Sequence, residues 1–206
     1  MKNIHLLGKK ILFDKSPLLL DYKPDENWLD YFEPKSGEWY LEDDHLLGVE
    51  NGNMGGILFT KECYDKDVML TFTVSTKLPA TRDLNAVFNA YWDEKTDYLG
   101  ESYVCGLNGW YENKAGIERN NTRIYSTTGL FKYNPGDELT MTCGSVDGHC
   151  FMVVDDVLVT ELIDPTEPIK GGHVGFSAYC TMLKIKNIQV REIVWEDFPQ
   201  KYDPEF

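Results

Sequence analysis

Strict alternation over residues 67–76 constrains this chain more than any other feature. Val68, Leu70, Phe72 and Val74 fall on one side of an extended segment, and Met69, Thr71 and Thr73 on the other, because successive side chains of a strand point to opposite faces. Residues 84–92 repeat the pattern, with Leu84, Ala86, Phe88 and Ala90 inward and Asn85, Asn89 and Tyr91 outward. Turn signals stand between such runs: Asp43-Asp44, Asn134-Pro135-Gly136-Asp137, Asp147-Gly148, Asp155-Asp156 and Gly171-Gly172. Further strand candidates lie at 38–46, 57–60, 104–111, 117–119, 123–126, 138–143, 149–154, 157–161, 174–179 and 182–195. About a dozen short strands, with turns every eight to twelve residues or so, predict an all-β sandwich or barrel.

A chain of 206 residues suits a single β domain. Residues 1–35 read as irregular, with a brief helix over 25–32 that places Trp28, Leu29 and Phe32 on one side and stops at Pro34. Residues 196–206 are polar and proline-bearing and read as a loosely held tail. The formal net charge of −14 argues against nucleic acid and anionic membrane surfaces as partners. No apolar run is long enough to span a bilayer, and residues 1–10 lack the pattern of a signal peptide. The five cysteines, Cys63, Cys105, Cys143, Cys150 and Cys180, are odd in number and form no CxxC pair. They are expected to be reduced thiols rather than zinc ligands, in a cytoplasmic protein.

The stretch 102–123 is dense in groups that recognise polar ligands. Asn108, Glu112, Glu118, Arg119, Asn120 and Arg123 offer donors and acceptors, and Trp110 and Tyr111 offer flat apolar faces with a polar handle. Such groups on a rigid sheet suit a sugar, whose C–H faces stack on rings while its hydroxyls pair with planar polar groups. The plain alternative is an ordinary strand pair turning at 112–115.

The second half carries a resemblance. It runs through Asn134-Pro-Gly-Asp, Asp147-Gly148, Val154-Asp-Asp, Gly171-Gly-His-Val-Gly-Phe176 and Leu183-Lys-Ile-Lys-Asn-Ile-Gln-Val190. With Gly37-Glu-Trp39 and Leu46-Leu-Gly48 in the first half, it resembles the concanavalin A-like lectin/glucanase superfamily over residues 36–194 or so. Within it, the chain looks like the YesU-like family of uncharacterised proteins and, more distantly, the 3-keto-disaccharide hydrolase-like domains. The resemblance implies an all-β jelly-roll sandwich of two antiparallel sheets, concanavalin A-like or galectin-like, with a sugar site on the concave face.

The glucanase signature of that superfamily, Glu-x-Asp-x-x-Glu on one strand, is missing. Glu161-Leu-Ile-Asp164-Pro-Thr-Glu167 has the wrong spacing and reads as a surface loop. Asp155-Asp156, Asp43-Asp44 and Asp93-Glu94 could each hold a structural calcium, although paired aspartates at hairpin turns ordinarily just face solvent; no other cofactor is expected. His149 and His173 stand beside turns without an evident partner.

The expected site follows from parity on neighbouring strands. Asn89, Tyr91, Asn108 and Trp110 should line one groove, with Arg123 and Lys132 as further substrate-binding cations. Glu118 is the expected general base, and Arg119 its cationic partner holding substrate oxygens. Ile117 and Arg119 share a parity, so a core-facing Ile117 would turn Arg119 inward and leave Glu118 in the groove. The first functional expectation is an intracellular enzyme that hydrolyses or eliminates a small, oxidised or simple glycoside. The alternatives are a lectin-like binding module without chemistry and a structural partner subunit; self-association stays open.

Overall fold

Two antiparallel sheets enclose the main core in the computed structural model, which describes residues 2–50, 55–110 and 114–199. The first sheet has seven strands, in the order Tyr125–Thr128, Lys114–Arg119, Tyr103–Gly109, Leu84–Ala90, His173–Ala178, Gly56–Thr60 and Phe32–Pro34. The second runs Val157–Ile163, His149–Val154, Leu139–Val146, Val68–Thr76, Met182–Glu192, His45–Val49 and Glu38–Glu42. Leu18–Tyr22 also pairs with Met182–Glu192 in that second sheet. This is the expected jelly-roll-like sandwich of stacked antiparallel sheets.

The alternation read from the sequence sets the core. Leu70, Phe72 and Val74 of one sheet meet Leu84, Ala86 and Phe88 of the other in one buried cluster. Phe72 sits edge-on to Phe176 with centroids 5.0 Å apart, and Phe88 lies 5.6 Å from Tyr103. Both phenylalanines are fully buried.

The outer face of the second sheet is not all open to solvent. Ile4–Leu6, Gly8–Ile11 and Trp195–Phe198 form a small third sheet. Its Ile4, Leu6 and Ile11 pack onto Met69, Phe151 and Val153, which is why Met69, on the polar side of its strand, is fully buried. The expected irregular segment therefore carries strands at Ile4–Leu6, Gly8–Ile11, Leu18–Tyr22 and Phe32–Pro34, and 195–198 are held by strand pairing rather than loose; residues 200–206 of the expected tail lie outside the described residues. These segments are too short to show a period on their own; tertiary pairing makes them strands. The expected helix over 25–32 is only a 3-10 turn at Trp28–Asp30, with the edge strand Phe32–Pro34 directly after it, where a proline is tolerated. Among the described residues, no helix is long and apolar enough to cross a membrane.

Two β-bulges change the parity of the strands that carry the expected site. The pairing of Leu84–Ala90 with His173–Ala178 shifts between His173 and Gly175, where Asn89 takes a φ of 46°. That of Tyr103–Gly109 with Lys114–Arg119 shifts between Gly106 and Gly109, where Asn108 takes a φ of 53°. Asparagine tolerates this left-handed backbone better than most residues, and the bulge at Asn89 turns the side chain after it over. Ala90, expected in the core, consequently joins Val87 on the outer face of the seven-stranded sheet.

Candidate functional site

A groove of about 570 Å³ lies on that outer face. Its apolar floor includes Ile57, Leu99 and Val104, part of a cluster that also holds Phe59, Val87 and Ala90. Tyr98, Trp110 and Tyr179 supply rings; Asp83, Asn85, Glu118, Asn120 and Ser177 supply polar groups, and Arg82 a cation. The chain excursion after Ala90 builds one wall. Trp92–Asp93 pairs back on Tyr98–Leu99, so Tyr98 and Leu99 fold over the sheet. Asn120 fastens that wall by donating from Nδ2 to the carbonyls of Leu99 and Gly100, both at 2.9 Å.

Trp110 and Glu118 are in direct hydrogen-bonded contact in the groove. Gly116 and Glu118 point outward on the strand Lys114–Arg119, because Ala115 and Ile117 point into the core. The indole ring lies against Gly116, where a Cβ would come within 3.0 Å of Trp110 Cδ2. Its Nε1–H donates to Glu118 Oε2 at 2.6 Å. The ring is thus half-buried and oriented, with a carboxylate at its edge.

Beside Gly109, where a Cβ would come within 2.8 Å of Asp83 Oδ1, stands a carboxylate that sequence reasoning missed. Asp83 is buried, with a φ of 58°, and accepts a hydrogen bond from Arg82 Nε at 2.8 Å. Burial pushes its pKa above the usual carboxylate range, and the Arg82 guanidinium opposes the shift without cancelling it. Asn85 lies beside it, 6% exposed. The Asn85 Oδ1 rests over Gly106, at a spot 2.1 Å from where a Cβ would stand. Only glycine admits that approach. The parity of Asn85 was legible; Asp83 precedes its strand in a loop, where alternation says nothing.

The remaining expected site residues lie elsewhere. Arg119 turns inward with Ile117 and donates through Nη1 to Asp164 Oδ2 at 2.7 Å, to Thr166 Oγ1 at 2.6 Å and to the Glu167 carbonyl at 2.8 Å. Its Nη2 reaches Glu101 at 3.2 Å. Tyr103 Oη–H donates to the same Asp164 oxygen at 2.7 Å. Asp164 therefore belongs to a buried knot fixing the loop after Val157–Ile163, not to a surface loop. Asn89 and Tyr91 are likewise tied to that region, donating to the carbonyls of Gly171 and Lys170. Asn108 donates to the Thr81 carbonyl at 3.0 Å on the groove's outer margin. Arg123 and Lys132 are exposed in loops and do not line the groove. Tyr111 and Glu112 lie outside the described residues.

The two histidines have partners after all. His149 Nε2 lies 2.6 Å from Glu161 Oε2, and the His173 ring stacks on Phe59 with centroids 5.2 Å apart. Among the described residues, no group of three or more His, Cys, Asp or Glu side chains is placed to hold a metal. The paired aspartates serve their turns: Asp155 accepts from Thr140 N, and Asp93 from Lys95 N and Thr96 Oγ1.

No protein-family model and no curated protein matches the chain. Solved structures do match it in fold. A protein of unknown function with a galectin-like fold from Bacillus subtilis superposes with a TM-score of 0.65 at 11% identity, covering 87% of this chain and 99% of that one. The carbohydrate-binding module CBM66 from Bacillus subtilis gives 0.61 at 12% identity, covering 78% and 95%. A protein from Parabacteroides distasonis, proposed as a glycosyl hydrolase, gives 0.57 at 13% identity, covering 84% and 99%. These likenesses agree with the concanavalin A-like fold.

Proposed function

We propose that the protein binds carbohydrate in the groove over the seven-stranded sheet. The observation that carries this reading is the Trp110 ring, fixed against Gly116 and bonded to Glu118, beside Asp83 and Asn85 in one groove of about 570 Å³. That volume is within the range of small-ligand pockets, and an oriented ring flanked by planar polar groups matches the two surfaces of a sugar. The fold shared with a carbohydrate-binding module and with a protein proposed as a glycosyl hydrolase supports the same ligand class. Titration calorimetry against neutral, amino and acidic mono- and disaccharides tests it. Saturable heat that is lost in Trp110→Ala supports the reading; no heat with any sugar rejects it.

A second reading, cleavage of a small glycoside, is favoured by Asp83. A buried carboxylate with a raised pKa is suited to deliver a proton, and Glu118 in the same groove is suited to accept one. Arg82 then takes the part expected of Arg119. Membership of the YesU-like family and a cytoplasmic location belong to this proposal. Incubation with simple and 3-keto disaccharides, followed by product analysis, separates it from binding alone: products lost in Asp83→Asn support it, and intact sugar from the wild type rejects it.

A further inference from the structure

The groove's hydrogen-bonding groups are unevenly committed. The indole N–H of Trp110 is used by Glu118. Both bonds from Asn120 Nδ2 go to the Leu99 and Gly100 carbonyls. The Asn85 side chain hydrogen-bonds Asp83, and Arg82 Nε points at the same carboxylate. The donors nearest the two carboxylates are therefore consumed by them. The carboxylates keep further lone pairs beyond these bonds. Asn85 Oδ1, on a side chain 6% exposed at the groove floor, has no hydrogen-bond partner among the described residues. That oxygen is itself covered, so the lone pairs open to a ligand are those of Asp83 and Glu118.

Charge points the same way. Asp83 and Glu118 line the groove, and Arg82 is the one cation among its described lining residues. Glu50 adds a third carboxylate at the mouth, where it accepts from Cys180 N at 2.6 Å and from Gly55 N at 3.4 Å. We infer that the groove selects a donor-presenting sugar, neutral or amino-bearing, and excludes uronic and other anionic sugars. This rests on the carbohydrate reading above and adds its charge class. Hydroxyl or ammonium hydrogens would meet Asp83 and Glu118. A sugar carboxylate would meet two like charges, and such juxtaposition is strongly unfavourable in a partly desolvated groove.

The test is calorimetric titration of the full chain at pH 7 with glucose, galactose and mannose, each as the neutral sugar, the 2-amino sugar and the uronate. For whichever configuration binds, the uronate should be at least about tenfold weaker than the neutral form. The amino sugar should be equal to it or tighter. Raising salt should narrow the uronate's deficit, as screening of like charges requires. Asp83→Asn and Glu118→Gln, each checked for an unchanged circular dichroism spectrum, should each shrink the deficit several-fold; two variants guard against one that fails to fold. A uronate that binds as tightly as its neutral counterpart, or a deficit untouched by both variants, overturns the inference and leaves carbohydrate binding standing. If none of the nine sugars binds, the carbohydrate reading fails and takes this inference with it.

Discussion

Trp110 and Glu118 are joined by a 2.6 Å hydrogen bond from the indole nitrogen to a carboxylate oxygen. The bond spans a β-bulge between the paired strands Tyr103–Gly109 and Lys114–Arg119. The ring also packs on the cluster of Ile57, Phe59, Val87, Leu99 and Val104, so it contributes to stability as well as to the groove.

Replacing Trp110 with Ala should therefore cost about 2 kcal/mol of stability, less than the roughly 3–5 kcal/mol of a fully buried tryptophan. Sugar affinity should fall about tenfold or more. Gly116→Ala separates the two effects. Its Cβ would stand 3.0 Å from Trp110 Cδ2 and 3.1 Å from the Ser126 carbonyl, forcing the ring to shift. Urea unfolding and calorimetry on both variants should show affinity lost in each and stability lost mainly in Trp110→Ala. Unchanged affinity in Gly116→Ala would mean that ring placement is immaterial.

Two aspartates should titrate with opposite signs. Burial raises the Asp164 pKa, but hydrogen bonds from Thr166, Tyr103 and Arg119 together outweigh it, and the net shift is downward. Asp164 thus contributes stability that is fully present above the unfolded pKa of about 3.9 and lost as pH falls through the lower folded value. Asp83 is shifted upward, so its ionised form destabilises the fold at neutral pH, and that cost disappears as pH falls through its folded pKa toward the unfolded one. Chemical denaturation from pH 3 to 7 or so should show the gap between wild type and Asp164→Asn widening with pH. For Asp83→Asn, the stability of the variant relative to wild type should rise with pH. Parallel curves for both variants would contradict these assignments.

Arg119 belongs to the same buried knot. Arg119→Met would leave Asp164, whose side chain is fully buried, without its cation. The expected loss is about 3–5 kcal/mol, the range for breaking a buried pair from one side. A loss under about 1 kcal/mol, read from denaturant midpoints, would show that the guanidinium is dispensable to the fold.

Phe72→Ala and Phe88→Ala should each cost roughly 3–5 kcal/mol, since both rings are fully buried between the sheets. Differential scanning calorimetry checks this. A drop under about 1 kcal/mol would be inconsistent with that packing.

Alkylation without reductant should label two thiols in the folded protein and all five after unfolding. Cys63 and Cys180 are exposed, whereas Cys105, Cys143 and Cys150 are buried. Burial also pushes the Cys105 and Cys150 thiols up, which slows their reaction further. Mass spectrometry of the native and denatured reactions gives both counts.

The sequence by itself determined the sandwich. The period of two in 67–76 and 84–88 is a local property of extended chain, and the hydrophobic set it isolates must be buried against another sheet. It also placed Asn85 and Trp110 on outward positions, and offered an outward Glu118 with an inward Arg119 as one of two outcomes. What it could not supply was the effect of one inserted residue. The bulges at Asn89 and Asn108 leave no periodic mark, yet they decide which side chains reach the groove. Asp83 and the wall at Tyr98 come from irregular segments, whose positions depend on what they pack against rather than on their own residues. The knot of Arg119, Tyr103 and Asp164 joins positions up to 61 residues apart. Contacts of that separation exist only once the sheets have closed on one another, so the tertiary structure alone decided that Arg119 holds the fold while Glu118 faces the groove.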